Sequence, residues 1–232
     1  MKLGLMGDIH GNIQALRAVL EAASNENIEK LLITGDLVGY YFAPLEVVEL
    51  LGEWDVEIVR GNHEEMLKIA LKDPDYLISV DARYGTGLRI AIEQLSLEQI
   101  ESLCELKHPL DLTFEGVKIL LCHGSPWDLD QYIYPNAENA LITKCAIGEY
   151  DLVVMGHTHY PMQLMIGRTH LVNPGSVGQP RNRDPGAHWA IFDTVSRSIE
   201  FRCESYDVTH LIRECKERHP NLPYLANVLE RA

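Results

Sequence analysis

Lys2-Leu3-Gly4-Leu5-Met6-Gly7-Asp8-Ile9-His10-Gly11-Asn12 begins as a short apolar run and ends as a glycine-flanked loop with a carboxylate and an imidazole two positions apart. Ile13, Leu16, Val19 and Leu20 follow at helix spacing. The stretch predicts strand, loop and helix, and open α/β sheets carry ligands at the carboxyl ends of their strands. In an extended segment residues i and i+2 project the same way. Asp8 and His10 are therefore expected to point at one object, with a metal ion the natural candidate.

The same grammar returns twice. Residues 29–34 form an apolar run ending in Gly35-Asp36, and 45–51 has helix spacing. Residues 54–60 end in Gly61-Asn62-His63-Glu64, with a helix expected over 65–71. Three strand-loop-helix units in a row predict an α/β fold with a parallel sheet and helices on its faces. Asp73-Pro74-Asp75 breaks the pattern, and the mostly helical 79–106 is read as part of a helical insertion over about 73–107. A hairpin turned at Gly116 leads to His123-Gly124-Ser125-Pro126, a loop with Trp127, Tyr132 and Tyr134, and a helix over 137–147. Residues 152–155 read as a buried strand ending in Gly156-His157-Thr158-His159. Short runs at 162–166, 169–172, 187–193 and 198–204 then predict a second, more antiparallel sheet, followed by a helical tail from about 207 to 232. No linker divides the chain, so one domain over 1–232 is expected.

The 232 residues suffice to bury a sizeable core. Hydrophobic content of 46% and charged content of 23% are ordinary for a globular protein. A formal charge of -14 argues against a general nucleic-acid binder or an anionic membrane surface as partner. It leaves room for phosphate substrates if metal ions supply the positive charge. The five cysteines include no C-x-x-C pair, which reads as reduced thiols and a cytoplasmic location. No stretch is long and apolar enough to span a membrane.

Asp8, His10, Asp36, Asn62, His63, His123, His157 and His159 all follow candidate strands, and five of the ten histidines are among them. Carboxylate, imidazole and amide oxygen together suit manganese, iron or zinc better than calcium. Seven possible ligands are too many for one tetrahedral ion. They fit two ions sharing a carboxylate, and such pairs, about 3.5–4 Å apart, drive in-line displacements at phosphorus.

Asp-x-His, Gly-Asp, Gly-Asn-His-Glu, His-Gly and Gly-His-x-His, in this order, resemble the signature of the calcineurin-like metallophosphoesterases. With Asn173-Pro174-Gly175-Ser176-Val177-Gly178 the chain looks like the small bacterial and archaeal phosphatase or phosphodiesterase branch. The resemblance implies a four-layer α-β-β-α sandwich of two mixed sheets flanked by helices. It implies one ion on Asp8, His10 and His159, a second on Asn62, His123 and His157, and Asp36 bridging both. The implied cofactors are two divalent ions, manganese first, with iron, zinc or nickel as substitutes. Hydroxide held between them would attack a small-molecule phosphoester, with Asn62 and His63 on the phosphate and His63 also the acid for the leaving oxygen. The resemblance has one departure: Asp36 is followed by Leu37-Val38-Gly39-Tyr40. Protein phosphatases of the family have Val-Asp-Arg-Gly there, so Gly39 removes a carboxylate that would orient His63 and Tyr40 removes an arginine. Arg181 or Arg60 is then expected to bind phosphate instead.

Asn12 is read as a helix cap, Tyr40 and Tyr41 as pocket or packing residues, and Cys122 as a small buried strand residue. Trp127, Tyr132 and Tyr134 are read as packing the long loop, with stacking on a nucleobase the other reading. His108, His170, His188, His210 and His219 have no ligand-like spacing. Two other functions compete: a catalytically weak or inactive metal-binding scaffold that acts through partners, and a zinc amidohydrolase, which the lack of an H-x-H near the start disfavours. Dinucleoside polyphosphates and phosphoproteins are alternative substrates, and the sequence does not define an oligomeric state.

Overall fold

A computed structural model describes residues 1–146 and 149–231. The chain opens with β1 (Lys2–Met6), α1 (Ile13–Asn25), β2 (Lys30–Ile33), α2 (Pro44–Leu51), β3 (Val56–Ile58) and α3 (Asn62–Ala70). Three consecutive helices, α4 (Pro74–Tyr84), α5 (Gly87–Gln94) and α6 (Leu97–Glu105), follow. Then come β4 (Leu110–Phe114), β5 (Val117–Leu121), α7 (Asn139–Cys145) and β6 (Leu152–Val154). The chain closes with β7 (Met162–Ile166), β8 (Thr169–Asn173), β9 (Ala187–Asp193), β10 (Ile199–Glu204), α8 (Thr209–Arg218) and α9 (Tyr224–Glu230). The expected 137–147 helix is shorter, and its last residue, like the last of the 207–232 tail, lies outside the described residues. No helix among the described residues is long and apolar enough to cross a membrane.

Two mixed sheets are stacked. One has the order β10-β9-β1-β2-β3 and the other β4-β5-β6-β8-β7. β1, β2 and β3 run parallel, as expected, and so do β5, β6 and β8. The four late strands do not form a sheet of their own. β9 pairs antiparallel with the open edge of β1, while β7 and β8 extend the other sheet. β9 is buried on both faces: Trp189 and Ile191 meet the helices, and Ala190 and Phe192 meet the second sheet. A strand apolar on both sides demands a central position, and the seat beside β1 supplies it.

Alternation along the strands builds the layers. Leu3, Leu5, Leu32, Ala190 and Phe192 face Ile119, Leu121, Leu152, Val154 and Val172 between the sheets. Met6, Leu31 and Ile33 face outward onto Leu16, Val19 and Leu20 of α1. Leu120, Val153 and Leu171 pack with Ile142 and Cys145 of α7 on the opposite side. The result is the expected α-β-β-α sandwich. Asn12 caps α1, its side-chain oxygen accepting the Ala15 N–H at 3.2 Å. α8 and α9 fold back over the front of the molecule, where Tyr41 Oη donates to the Leu225 carbonyl at 3.2 Å. Cys104, Cys122, Cys145 and Cys215 are buried thiols and Cys203 is exposed, with no disulfide among the described residues.

Candidate metal centre

The parallel strands of both sheets end at one edge of the sandwich, and the loops that leave them carry the predicted residues. Asp8, Asp36 and Asn62 follow β1, β2 and β3; His123 follows β5, and His157 and His159 follow β6. Asp8 and His10 are not in extended backbone. Their φ values are 51° and 52°, and Asp36, His157 and His159 are left-handed too, at 55°, 68° and 61°. Side chains other than glycine occupy that region at a cost of order 1 kcal/mol each, and such strain collects at functional sites. A ladder holds the turns: Asp8 N–H donates to Gly35 O at 3.0 Å, His10 N–H to Asp36 O at 2.9 Å and Gly11 N–H to Leu37 O at 2.8 Å. The Asn173–Gly178 stretch braces the first loop from outside, with Ser176 Oγ donating to Asp8 O at 2.7 Å.

Two donor clusters result. In the first, His10 Nε2 lies 3.2 Å from His159 Nε2 and 3.6 Å from Asp36 Oδ2, and His159 Nε2 lies 3.5 Å from Asp8 Oδ1. In the second, His123 Nε2 lies 2.9 Å from Asn62 Oδ1, 3.1 Å from His157 Nδ1 and 3.4 Å from the same Asp36 Oδ2. His10, His123 and His159 donate their Nδ1 hydrogens to the carbonyls of Val38, Thr34 and Gln179, at 3.1, 2.7 and 2.6 Å. In each neutral ring Nε2 is then a bare lone pair. Bare lone pairs facing one another at such distances repel unless a cation lies between them. Donors held about 2.0–2.2 Å from one ion are about 3.0 Å apart in an octahedron and about 3.4 Å apart in a tetrahedron. Both clusters therefore fit a divalent ion.

Burial sets the electrostatics. It holds His10, His123 and His159 well below the usual histidine range and His157 down at about 4. It pushes Asp8 up to about 8 and Asp36 well above the carboxylate range. A bound cation would take the imidazoles as they stand, neutral, and would stabilise the ionised carboxylates that burial disfavours.

A hollow of about 30 Å³ opens on both clusters, with Asp36, Asn62, His63, Tyr40 and Arg181 among its walls. Among the described residues Arg181 is its only cationic wall residue, and its guanidinium donates to Tyr40 Oη at 3.2 Å and Gln179 Oε1 at 3.0 Å. Arg60 is elsewhere, donating to Cys104 O of α6 at 3.3 Å and lying 3.4 Å from Glu65. His63 lies edge-on to His10 with centroids 4.6 Å apart and tilted against Tyr40 at 4.8 Å. It also falls in a third grouping with His10 and Asp36. Its Nδ1 is buried with no partner among the described residues. Burial, then the Arg181 charge, lower it to about 3. Gly39 lies against that nitrogen: a Cβ there would stand 1.9 Å from it, at φ +88°.

Sequence reasoning missed Glu64. Its carboxylate is fully buried beneath the site and accepts N–H bonds from Asp36 at 2.9 Å, Leu37 at 2.8 Å, Val38 at 3.4 Å and Gly61 at 2.8 Å. The signal was the glutamate three residues after Gly61, at the N3 place of a capping box, and α3 starts at Asn62 rather than 65. His188, which has no ligand-like spacing in the sequence, lies with Asp184 and Cys203, but its Nε2 already donates to Asp184 O at 2.7 Å. Tyr132 and Tyr134 do not pack beneath the loop. They are 41% and 37% exposed, their rings stack 5.7 Å apart, and Tyr132 lies 4.0 Å from the His157 ring.

Residues 1–197 match the calcineurin-like phosphoesterase superfamily domain, and the chain belongs to that superfamily of metal-dependent phosphoesterases. Phosphodiesterase YfcE from Escherichia coli is 26% identical over 216 residues, covering 88% of this chain and 95% of its own. A metallophosphoesterase from Sphaerobacter thermophilus superimposes with a TM-score of 0.79 at 27% identity, over 100% of this chain and 98% of its own. A hypothetical protein from Pyrococcus horikoshii does so with a TM-score of 0.85 at 25% identity, over 100% and 99%.

Proposed function

We propose that the chain hydrolyses small-molecule phosphodiesters with two divalent ions, manganese first among them. The observation that carries this reading is the shared atom: Asp36 Oδ2 lies 3.6 Å from His10 Nε2 and 3.4 Å from His123 Nε2, one nitrogen in each donor cluster. Asp8, His10 and His159 would complete one ion's ligands, and Asn62, His123 and His157 the other's. Ions held by those residues would lower the pKa of water and draw charge from phosphate oxygens. Arg181 orients and neutralises the phosphate from the far wall of the hollow. His63 is neutral in the free protein, so it meets the phosphate as a hydrogen-bonding imidazole. The negative charge of the substrate is what raises its proton affinity and equips it to protonate the leaving oxygen. Asp36 Oδ1 accepts the His63 N–H at 2.9 Å and fixes that ring's backbone to the bridging carboxylate.

The free thiols agree with a reducing compartment, and the reading places the protein in the cytoplasm. A phosphoprotein is the weaker substrate, because the ligand side chains lie at the bottom of a hollow of only about 30 Å³. The test is metal analysis of the purified chain, followed by a phosphoester panel with manganese, iron, zinc or nickel added back. About two ions per chain and turnover of bis(p-nitrophenyl) phosphate are expected. Bound metal with no turnover on any phosphoester would leave the inactive scaffold in its place.

A further inference from the structure

The catalytic hollow, at about 30 Å³, has room for little beyond the reacting phosphate group itself. The rest of any substrate must sit in the cavities beside it. The cavity on the Asn62 side measures about 470 Å³ and lies between α3, α4 and the loop after β5. It falls in the range of about 300–1,000 Å³ that holds small ligands. Asn62, Tyr84 and Tyr132 line both spaces, so a chain of atoms leaving the phosphorus on that side enters the larger one.

Its walls are mixed, with the carboxylates of Glu65 and Asp130 beside a group of flat side chains. Tyr76, Tyr84 and Tyr132 offer aromatic rings, and the guanidinium carbon of Arg83 lies over the Tyr84 ring, 4.9 Å from its centroid. Arg83 is exposed and takes part in no ion pair among the described residues. Tyr132, exposed and stacked on Tyr134, stands at the mouth between the two spaces. Aromatic faces and an arginine plane bind planar rings by stacking.

We infer that this cavity receives the leaving arm of the substrate and selects one that carries a planar heteroaromatic ring, as a nucleoside does. The inference rests on the phosphoesterase reading for which arm leaves, but not for what the cavity binds. Tyr76, Arg83 and Tyr84 of the ring seat belong to α4, and Tyr132 to the loop after β5.

The test is calorimetric binding to the manganese-loaded full chain, with two probes whose C–P bond resists hydrolysis: the phosphonate analogues of adenosine 5′-monophosphate and of ribose 5-phosphate. The adenosine probe is expected to bind at least about tenfold more tightly. Tyr132→Ala and Tyr76→Ala should each bring the ratio down severalfold. Tyr76 lies on a half-exposed helix face, so its variant keeps the test open if the loop variant misfolds. Because the ratio compares two ligands of one protein, a damaged metal site cancels. Equal affinities, or a ratio that survives in both variants, would overturn the assignment. If the phosphoester panel is silent while the ring preference holds and falls in the variants, the catalytic reading fails and the ring seat stands.

Discussion

Replacing Asp36 by asparagine changes one atom at the point where the two donor clusters meet. Oδ1 can keep the His63 N–H bond, 2.9 Å in the native chain. The other position becomes an NH₂ facing His10 Nε2 and His123 Nε2, which stand 3.6 and 3.4 Å from the native oxygen. The amide donates hydrogens where a cation would need electrons. The cluster of Asn62, His123 and His157 loses its only carboxylate, while the other retains Asp8. Removing one unit charge about 4 Å from a cation costs about 4 kcal/mol at an effective dielectric near 20. A ligand atom is closer and the ion divalent, so a loss of at least about 10³-fold in affinity is expected. The second cluster should suffer more than the first. Metal analysis after gel filtration should fall from about two ions per chain to one or fewer, with turnover falling in step. The metal-free variant should melt higher than metal-free wild type. Burial raises the native Asp36 well above the carboxylate range, so at neutral pH its charge opposes folding. An Asp36→Asn protein with two ions, full activity and an unchanged apo melt would refute the reasoning.

Three further outcomes follow from the same geometry. Asp8, raised from 3.8 to about 8, favours the metal-free fold fully below its unfolded value and loses that contribution as pH rises through about 8. Manganese must displace that proton, so its affinity should rise about tenfold per pH unit towards pH 8, measured as the metal-dependent shift in melting temperature. Gly39→Ala places a Cβ 1.9 Å from His63 Nδ1 at a φ of +88°, and should cost about 1–3 kcal/mol of stability and most turnover while metal content persists. Glu64→Gln turns one of two accepting oxygens into a donor that faces two backbone N–H groups, and should cost about 3 kcal/mol in urea denaturation.

What the sequence made legible is the part that strand endings dictate. Asp8, Asp36, Asn62, His123 and His157 follow apolar runs, and a chain that stacks those runs in parallel carries its loops to one edge whatever the loops' shapes. The direction of each side chain was a different matter. Asp8 and His10 were expected to converge because extended residues two apart do so, yet both are left-handed at φ 51° and 52°. Convergence comes instead from backbone bonds to Gly35, Asp36 and Leu37, partners that no local pattern announces. The same limit applied to β9. Seven residues of nearly unbroken burial marked a strand, but its partner was chosen by the free edge of β1, more than 180 positions away in the chain.

Gly39 joins the two kinds of information. From the sequence it is a missing carboxylate, a departure that removes the group expected to orient His63. In space it is the residue whose lack of a side chain admits the imidazole, since any Cβ would occupy the place of Nδ1. The orientation of His63 is then set by packing, edge-on to His10 and tilted against Tyr40, and by its backbone bond to Asp36. Tyr40, which replaces the other family residue, holds Arg181 at 3.2 Å through its hydroxyl. In this chain the imidazole is therefore oriented by packing, and the cation on the wall of the hollow is Arg181, ahead of β9 and against Gln179. A site built that way should tolerate the loss of a charge near His63 better than the loss of the Tyr40 ring that wedges it.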